Sequence, residues 1–213
     1  MPRFRVCSAT LLLLSCVAQA AEPDVQHWRF TVRLAERNIG EHVFERHDSP
    51  SGHRVSSRAH FKVDWLHIPL LRYHHQAEER WQDGCLVGID ATTRSNGRSE
   101  TVRGQRTPAG FSLEAPAATT LDAPCVMTFA YWDRRIVEQK RLLNAQTGAY
   151  MPVSVHFLGY ESIPVAGKPR PAEHFLLEAQ DLRIELWYAE DGQWLGLAAP
   201  LRDGRRMTYR LEG

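Results

Sequence analysis

The stretch PCVMTFAYWDRRIVEQKRLLNAQTG, residues 124–148, breaks the pattern of everything around it. It sets a cysteine beside an aromatic cluster (Phe129, Tyr131, Trp132), then an aspartate and a short charged run of helical character. Asp133 has the chemistry to cap that turn, with Ile136 and Val137 facing inward and Arg134, Arg135, Glu138 and Lys140 in water. Leu142 and Leu143 restore apolar character, and Asn144, Thr147 and Gly148 carry turn chemistry. A non-strand segment inside a chain of strands is either the plug that closes a sheet or the site itself. One short helix or plug is therefore expected near residues 133–141.

Strand periodicity lies on both sides. Trp28, Phe30, Val32 and Leu34 alternate with Arg29, Thr31 and Arg33, and Ala59, Phe61, Val63 and Trp65 form a later inner face. The run from Arg72 to Trp81 puts Tyr73, His75, Ala77, Glu79 and Trp81 on one face and Arg72, His74, Gln76, Glu78 and Arg80 on the other. After the Asp83-Gly84 turn, Cys85, Val87, Ile89 and Ala91 are expected to point inward, and Asn96-Gly97 is a strong hairpin signal. Beyond Gly148 the alternation resumes through Met151, Val153, Val155 and Phe157, then Leu182 to Tyr188, Trp194 to Leu197, and Met207, Tyr209 and Leu211. Roughly a dozen closely spaced strands predict an all-β chain, a curved antiparallel sheet that is half-barrel or barrel-like, with a sandwich also left open.

The N-terminus reads as a secretory signal peptide. Arg3 and Arg5 precede an apolar core from Val6 to Val17, and Ala18-Gln19-Ala20 supplies small residues for cleavage after Ala20. A lipoprotein reading, with Cys16 acylated, fits less well because Leu14 precedes Ser15-Cys16. Removing residues 1–20 leaves 24 basic against 25 acidic side chains, a net charge of −1. That balance gives no basis for nucleic acid as a partner. Residues 21–213 are expected to form one β-rich domain with no transmembrane segment, periplasmic or secreted. In an oxidising compartment the two remaining cysteines, Cys85 and Cys125, predict a disulfide, the alternative being two unrelated thiols. Neither has a partner at CxxC spacing, so neither a metal nor a cofactor is expected.

The 124–148 run, together with RYHHQAEERWQDGCL, ELWYAEDGQWLGL and GRRMTYRLE, resembles an uncharacterised family of secreted bacterial proteins, a domain of unknown function of the Gram-negative envelope. The later half is also similar to a broader group of envelope β-domains with a Trp-Tyr-x-x-Asp-Gly hairpin, here Trp187 to Gly192. The resemblance implies a β-rich envelope protein and brings no catalytic residues with it.

Ten histidines invite a metal reading, yet His74 and His75 are neighbours on a strand and point to opposite faces. Residues four apart, such as His75 and Glu79, lie about 13 Å from each other. A site shared by His60 and His74 across strands is left as an alternative. No nucleophile elbow is present, and Glu78 and Glu79 are expected to meet arginines such as Arg72, Arg80 or Arg141. The aromatics are the remaining signal. Tyr73, Trp81, Phe129, Tyr131, Trp132, Trp187 and Tyr188 are the candidates to line a cavity for a lipid-like or other hydrophobic ligand. Two functions follow. The favoured one is a non-enzymatic protein binding such a ligand, with an envelope protein partner left open. The alternative is an envelope hydrolase or other enzyme using a cluster of His74, Glu78 and Asp133.

Overall fold

The computed structural model describes residues 25–65, 68–115, 119–201 and 203–212. The expected cleavage after Ala20 and the acylation alternative at Cys16 fall outside the described residues. Eight strands make a first meander: β1 (Val25–Leu34), β2 (Arg37–Ser49), β3 (Gly52–Trp65), β4 (Ile68–Gln82), β5 (Cys85–Ser95), β6 (Arg98–Thr107), β7 (Gly110–Glu114) and β8 (Thr119–Leu121). A small hairpin follows, β9 (Arg141–Leu143) with β10 (Tyr150–Pro152). The second meander is β11 (Ser154–Val165), β12 (Lys168–Ala179), β13 (Leu182–Tyr188), β14 (Trp194–Pro200) and β15 (Arg206–Leu211).

The two meanders are one curved antiparallel sheet of 13 strands, because the first strand pairs with the last: Phe30 lies opposite Leu211 and Val32 opposite Tyr209. β8 and β11 are the two edges of that sheet. The chain between them has to pass from one edge to the other, and it does so across the concave face.

Alternation sets which side chains that face presents. In β1, Trp28, Phe30, Val32 and Leu34 are all buried, and in β4 His75, Ala77, Glu79 and Trp81 are buried while His74, Gln76, Glu78 and Arg80 are exposed. Of the sheet's register shifts, two set the phase of the strands around the site. Between β4 and β5, Arg80 pairs with Gly88 and Trp81 with Leu86, so Val87 is the extra residue. Leu86, not Val87, is consequently the fully buried side chain beside Trp81. In β2, Val32 pairs with Gly40 and Arg33 with Asn38, leaving Ile39 over. Gly40 carries the distortion at φ 147°, and a Cβ there would sit 1.9 Å from the His60 carbonyl oxygen.

Residues 124–148 fill the concavity. Val126, Met127, Ala130, Trp132, Ile136, Leu142 and Leu143 are all buried in the main core. The expected helix is one 3-10 turn, Arg134–Glu138, capped as anticipated by Asp133, whose Oδ1 accepts from the Arg135 amide at 3.0 Å. The aromatic cluster before it and the β9 strand after it are held in extended and turn geometry by backbone pairing. Phe129 N–H donates to Leu143 O (3.2 Å) and Leu143 N–H to Met127 O (2.8 Å). The segment is fastened to the sheet as well. Leu86 N–H donates to Val126 O at 2.8 Å, Tyr188 Oη donates to Tyr131 O at 2.8 Å, and Arg134 Nε donates to Glu173 Oε2 at 2.8 Å. Cys85 and Cys125 form a disulfide with Cα atoms 5.1 Å apart, bridging the start of β5 to the segment across 40 residues.

Two outcomes follow for stability. Closing a loop of that length is worth about 3–4 kcal/mol through the unfolded chain. Reductant should therefore lower the denaturant midpoint of the native protein, and leave a double Cys85→Ser, Cys125→Ser variant unaffected. Trp132 is buried edge-on against Trp81 (5.3 Å between centroids, 89°) and His53 (5.3 Å, 88°), with the Arg46 guanidinium 5.6 Å over its ring. Trp132→Ala should cost about 3–5 kcal/mol in equilibrium unfolding. A variant as stable as the parent would show that the segment does not support the sheet.

Candidate functional site

The ladder registers stack the inner side chains of β15, β1, β2, β3, β4 and β5 in rows. A row near one end, with Met207, Leu34, Val63 and Leu71 at the rim beyond it, runs Tyr209, Val32, Gly40, Phe61, Tyr73. The next runs Leu211, Phe30, His42, Ala59, His75, Thr93, and the one after it Trp28, Phe44, Ser57, Ala77, Ala91. Deeper rows carry Val55 and Glu79, then His53 and Trp81. The crossing segment covers these deeper rows, which is why Trp81, Leu86 and Val55 are almost fully buried.

The first row is different. Tyr73 and Tyr209 keep accessible surface, as do Val63, Leu71 and Met207 beside them, around a buried patch of Val32, Leu34, Ile39, Ala59 and Phe61. Tyr131 reaches the same space from the crossing segment and is likewise only half-buried. Its phenol is pushed up by burial and then by Tyr73, and that of Tyr209 by burial and then by Tyr131 and Tyr73. These three phenols, deep yet partly accessible, gather where the segment meets the end of the sheet, and we term their surroundings the cup.

The floor of the cup is polar. His42, stacked on Phe44 at 4.1 Å, is bonded through Nε2 to Ser57 Oγ (2.7 Å) and through Nδ1 to Tyr209 Oη (3.3 Å). His75 Nδ1 is 2.9 Å from Thr93 Oγ1. Burial holds His42 down to about 3, helped by His75, and holds His75 down to about 4, so both rings are neutral. Two rows further in, Glu79 is buried with no arginine paired to it among the described residues. Burial pushes its carboxyl up to about 7, against the pull of the Thr128 hydroxyl and the Trp81 indole. The Thr128 hydroxyl falls short of hydrogen-bond geometry, so the Trp81 Nε1–H, 3.1 Å from Oε2, is the partner that holds.

The residues singled out from sequence separate into groups. Tyr73 and Tyr131 line the cup, and Phe129 is half-buried with its ring 6.2 Å from that of Tyr131. Trp81, Trp132 and Tyr188 are consumed by the core. Trp187 is on the outer face of the sheet, stacked on His174 at 4.6 Å with its indole donating to Glu161 Oε1 at 2.6 Å. His74, Glu78 and Asp133 are not brought together. The first two are exposed on the outer face, while Asp133 is buried at the far end and paired with Arg135. His60 and His74 do stack, at 4.2 Å, but no group of three metal-ligating side chains occurs among the described residues. Arg72 meets Asp64 (2.6 Å), and Arg141 meets the Tyr150 carbonyl, in place of Glu78 and Glu79.

His42, Ser57, Thr93 and Tyr209 were not legible as site residues. The alternation of Met207, Tyr209 and Leu211 carries a signal for Tyr209, whereas the bulge at Ile39 hides the phase that turns His42 inward. His42 beside Ser57 has the spacing of a base and a nucleophile, but no carboxylate orients the ring, and a histidine held near 3 is a poor base. The floor is built to donate and accept hydrogen bonds.

The family profile of DUF6134, a domain of unknown function, matches residues 30–212. No curated protein matches the sequence significantly. Among solved structures, the fold is shared with a crystal structure from Brucella abortus described as a beta-barrel-like protein of domain of unknown function DUF1849. The TM-score is 0.65 at 17% identity, over 89% of this chain and 95% of that one.

The buried groups set a pH dependence. A histidine depressed from 6.5 is stabilising above its unfolded value, and that stability is lost as pH falls toward 4 for His75 and 3 for His42. Glu79, raised from 4.5 to about 7, acts oppositely: the folded state loses stability as pH rises through that interval. Stability should thus climb from pH 4 to 6.5, more steeply below 4.5, at about 1.4 kcal/mol per pH unit for each unopposed group. Glu79→Gln removes the opposing group and should steepen the rise between 4.5 and 6.5 in urea melts; an unchanged slope would contradict this assignment.

Proposed function

The chain belongs to the DUF6134 family, a domain of unknown function, and on that premise we propose that the cup is a binding site for a small hydrophobic, lipid-like ligand. The protein acts without catalysing a reaction, outside the cytoplasm, in the periplasm or secreted, after removal of residues 1–20. One observation carries the binding reading: Tyr73, Tyr131 and Tyr209 are deep enough for burial to raise their phenols, yet keep accessible surface beside the apolar patch around Phe61. A cleft lined by aromatic and aliphatic groups, with a few polar atoms at its base, is what small amphipathic molecules occupy. The Cys85–Cys125 bridge and the signal-like N-terminus support the compartment.

Two other clefts offer less. One of about 350 Å³ between β2 and β5 is walled by Arg29, Glu41, Glu45 and Arg58, which are already paired with one another. Another of about 680 Å³ beside the 3-10 turn is walled by Arg46, Asp133 and Arg135, with Arg135 held by Asp133.

Titration with the fluorophore N-phenyl-1-naphthylamine should give saturable enhancement. Met207, half-buried in the wall, provides the control: Met207→Trp fills the space and should weaken the probe by about tenfold or more without lowering the melting temperature. No saturable signal in the parent, or equal binding in the variant, would remove the cup as the site.

A further inference from the structure

The chemistry of the floor narrows the ligand. We propose that the cup selects an uncharged long-chain amphipath whose head is a hydroxyl or carbonyl group, such as a long-chain alcohol or ester, over a fatty acid anion or other anionic lipid. This rests on the cup being the binding site.

Three observations carry it. First, Tyr73 on β4 and Tyr131 on the crossing segment are both half-buried, and the hydroxyl of neither makes a hydrogen bond among the described residues, whereas Tyr209 is already engaged by His42. Two free phenols offer donors and acceptors without charge. Second, the floor row, from Leu211 through His42 and His75 to Thr93, holds no lysine or arginine, and Arg37, opposite Leu34, and Arg98, opposite Ser95, stand exposed at the open rim. The arginines of the concave side, Arg46 and Arg134, stand at the opposite end, against Trp132 and Glu173. Third, the ionisable groups that face the floor are His42, His75, the three tyrosines, Glu100 at the β6 end of the His75 row and, two rows in, Glu79. Both imidazoles are held neutral by burial, and the acids, Glu100 and Glu79, would repel an anion once ionised. An anionic head would therefore lose its water without gaining a counter-charge, a cost that a hydroxyl or carbonyl head does not meet.

The test is competition against N-phenyl-1-naphthylamine on the intact mature protein, using decanol, methyl decanoate and decanoate at about pH 8, where the acid is ionised. Decanol and methyl decanoate should displace the probe at concentrations about tenfold or more below that of decanoate, after correction for their solubilities. A decanoate that competes as well as decanol overturns the selectivity while leaving the cup as a binding site. Absence of probe binding removes the underlying site instead. The double variant Tyr73→Phe, Tyr131→Phe reads out the mechanism: it should keep its affinity for the probe and lose about fivefold or more for decanol. Undiminished decanol affinity in that variant would show that the phenols do not recognise the head.

Discussion

A curved sheet with two free edges has an apolar concave face that must be covered, and in this protein the covering group is the chain's own passage from one edge to the other. Everything else depends on that contact. β8 and β11 are the two edges of the strand order, and the connection between them runs across the concavity, where its side chains are buried. Its buried side chains, Val126, Trp132, Ile136, Leu142 and Leu143, take the place that a second sheet takes in a sandwich. The β1–β15 pair makes the arrangement possible by joining the two meanders into one surface. The disulfide, the Leu86–Val126 bond and the Tyr188–Tyr131 bond fix where the segment sits.

Position then becomes chemistry. Because the segment covers the rows of Trp81 and Val55 but stops short of the row of Tyr73 and Phe61, the sheet has a packed end and an open end. The boundary falls on the row of His42 and His75. These polar groups are tolerated there because each ring has a hydroxyl partner and stays neutral. A site of this kind holds molecules by shape and by uncharged hydrogen bonds. It is poorly equipped for proton transfer near neutrality.

Much of the fold was legible because period-two alternation is a physical consequence of the pleat. The β1 and β4 faces, the Asn96-Gly97 turn, the Cys85–Cys125 bridge and the Asp133 cap all follow from local chemistry. What was not legible lies at bulges and in long-range register. One extra residue in β5 puts Leu86 inside instead of Val87, and one in β2 turns His42 inward. The seven aromatic candidates could not be sorted by sequence, since core and cup use the same residue types. Only the crossing segment's path decides that Trp132 is core and Tyr131 is lining, and only the outer-face pairing with Glu161 removes Trp187.

Hydrogen exchange of the native protein tests the central claim most directly. If the crossing segment is an integral part of the sheet, the amides of Leu86, Phe129 and Leu143, which bond to or within it, open only with global unfolding. Their exchange should then have the same free energy and denaturant dependence as the β1 amides paired with β15. Exchange of Phe129 and Leu143 through a separate, lower-energy opening, while β1 stays protected, would show that the segment is a lid and contradict the account.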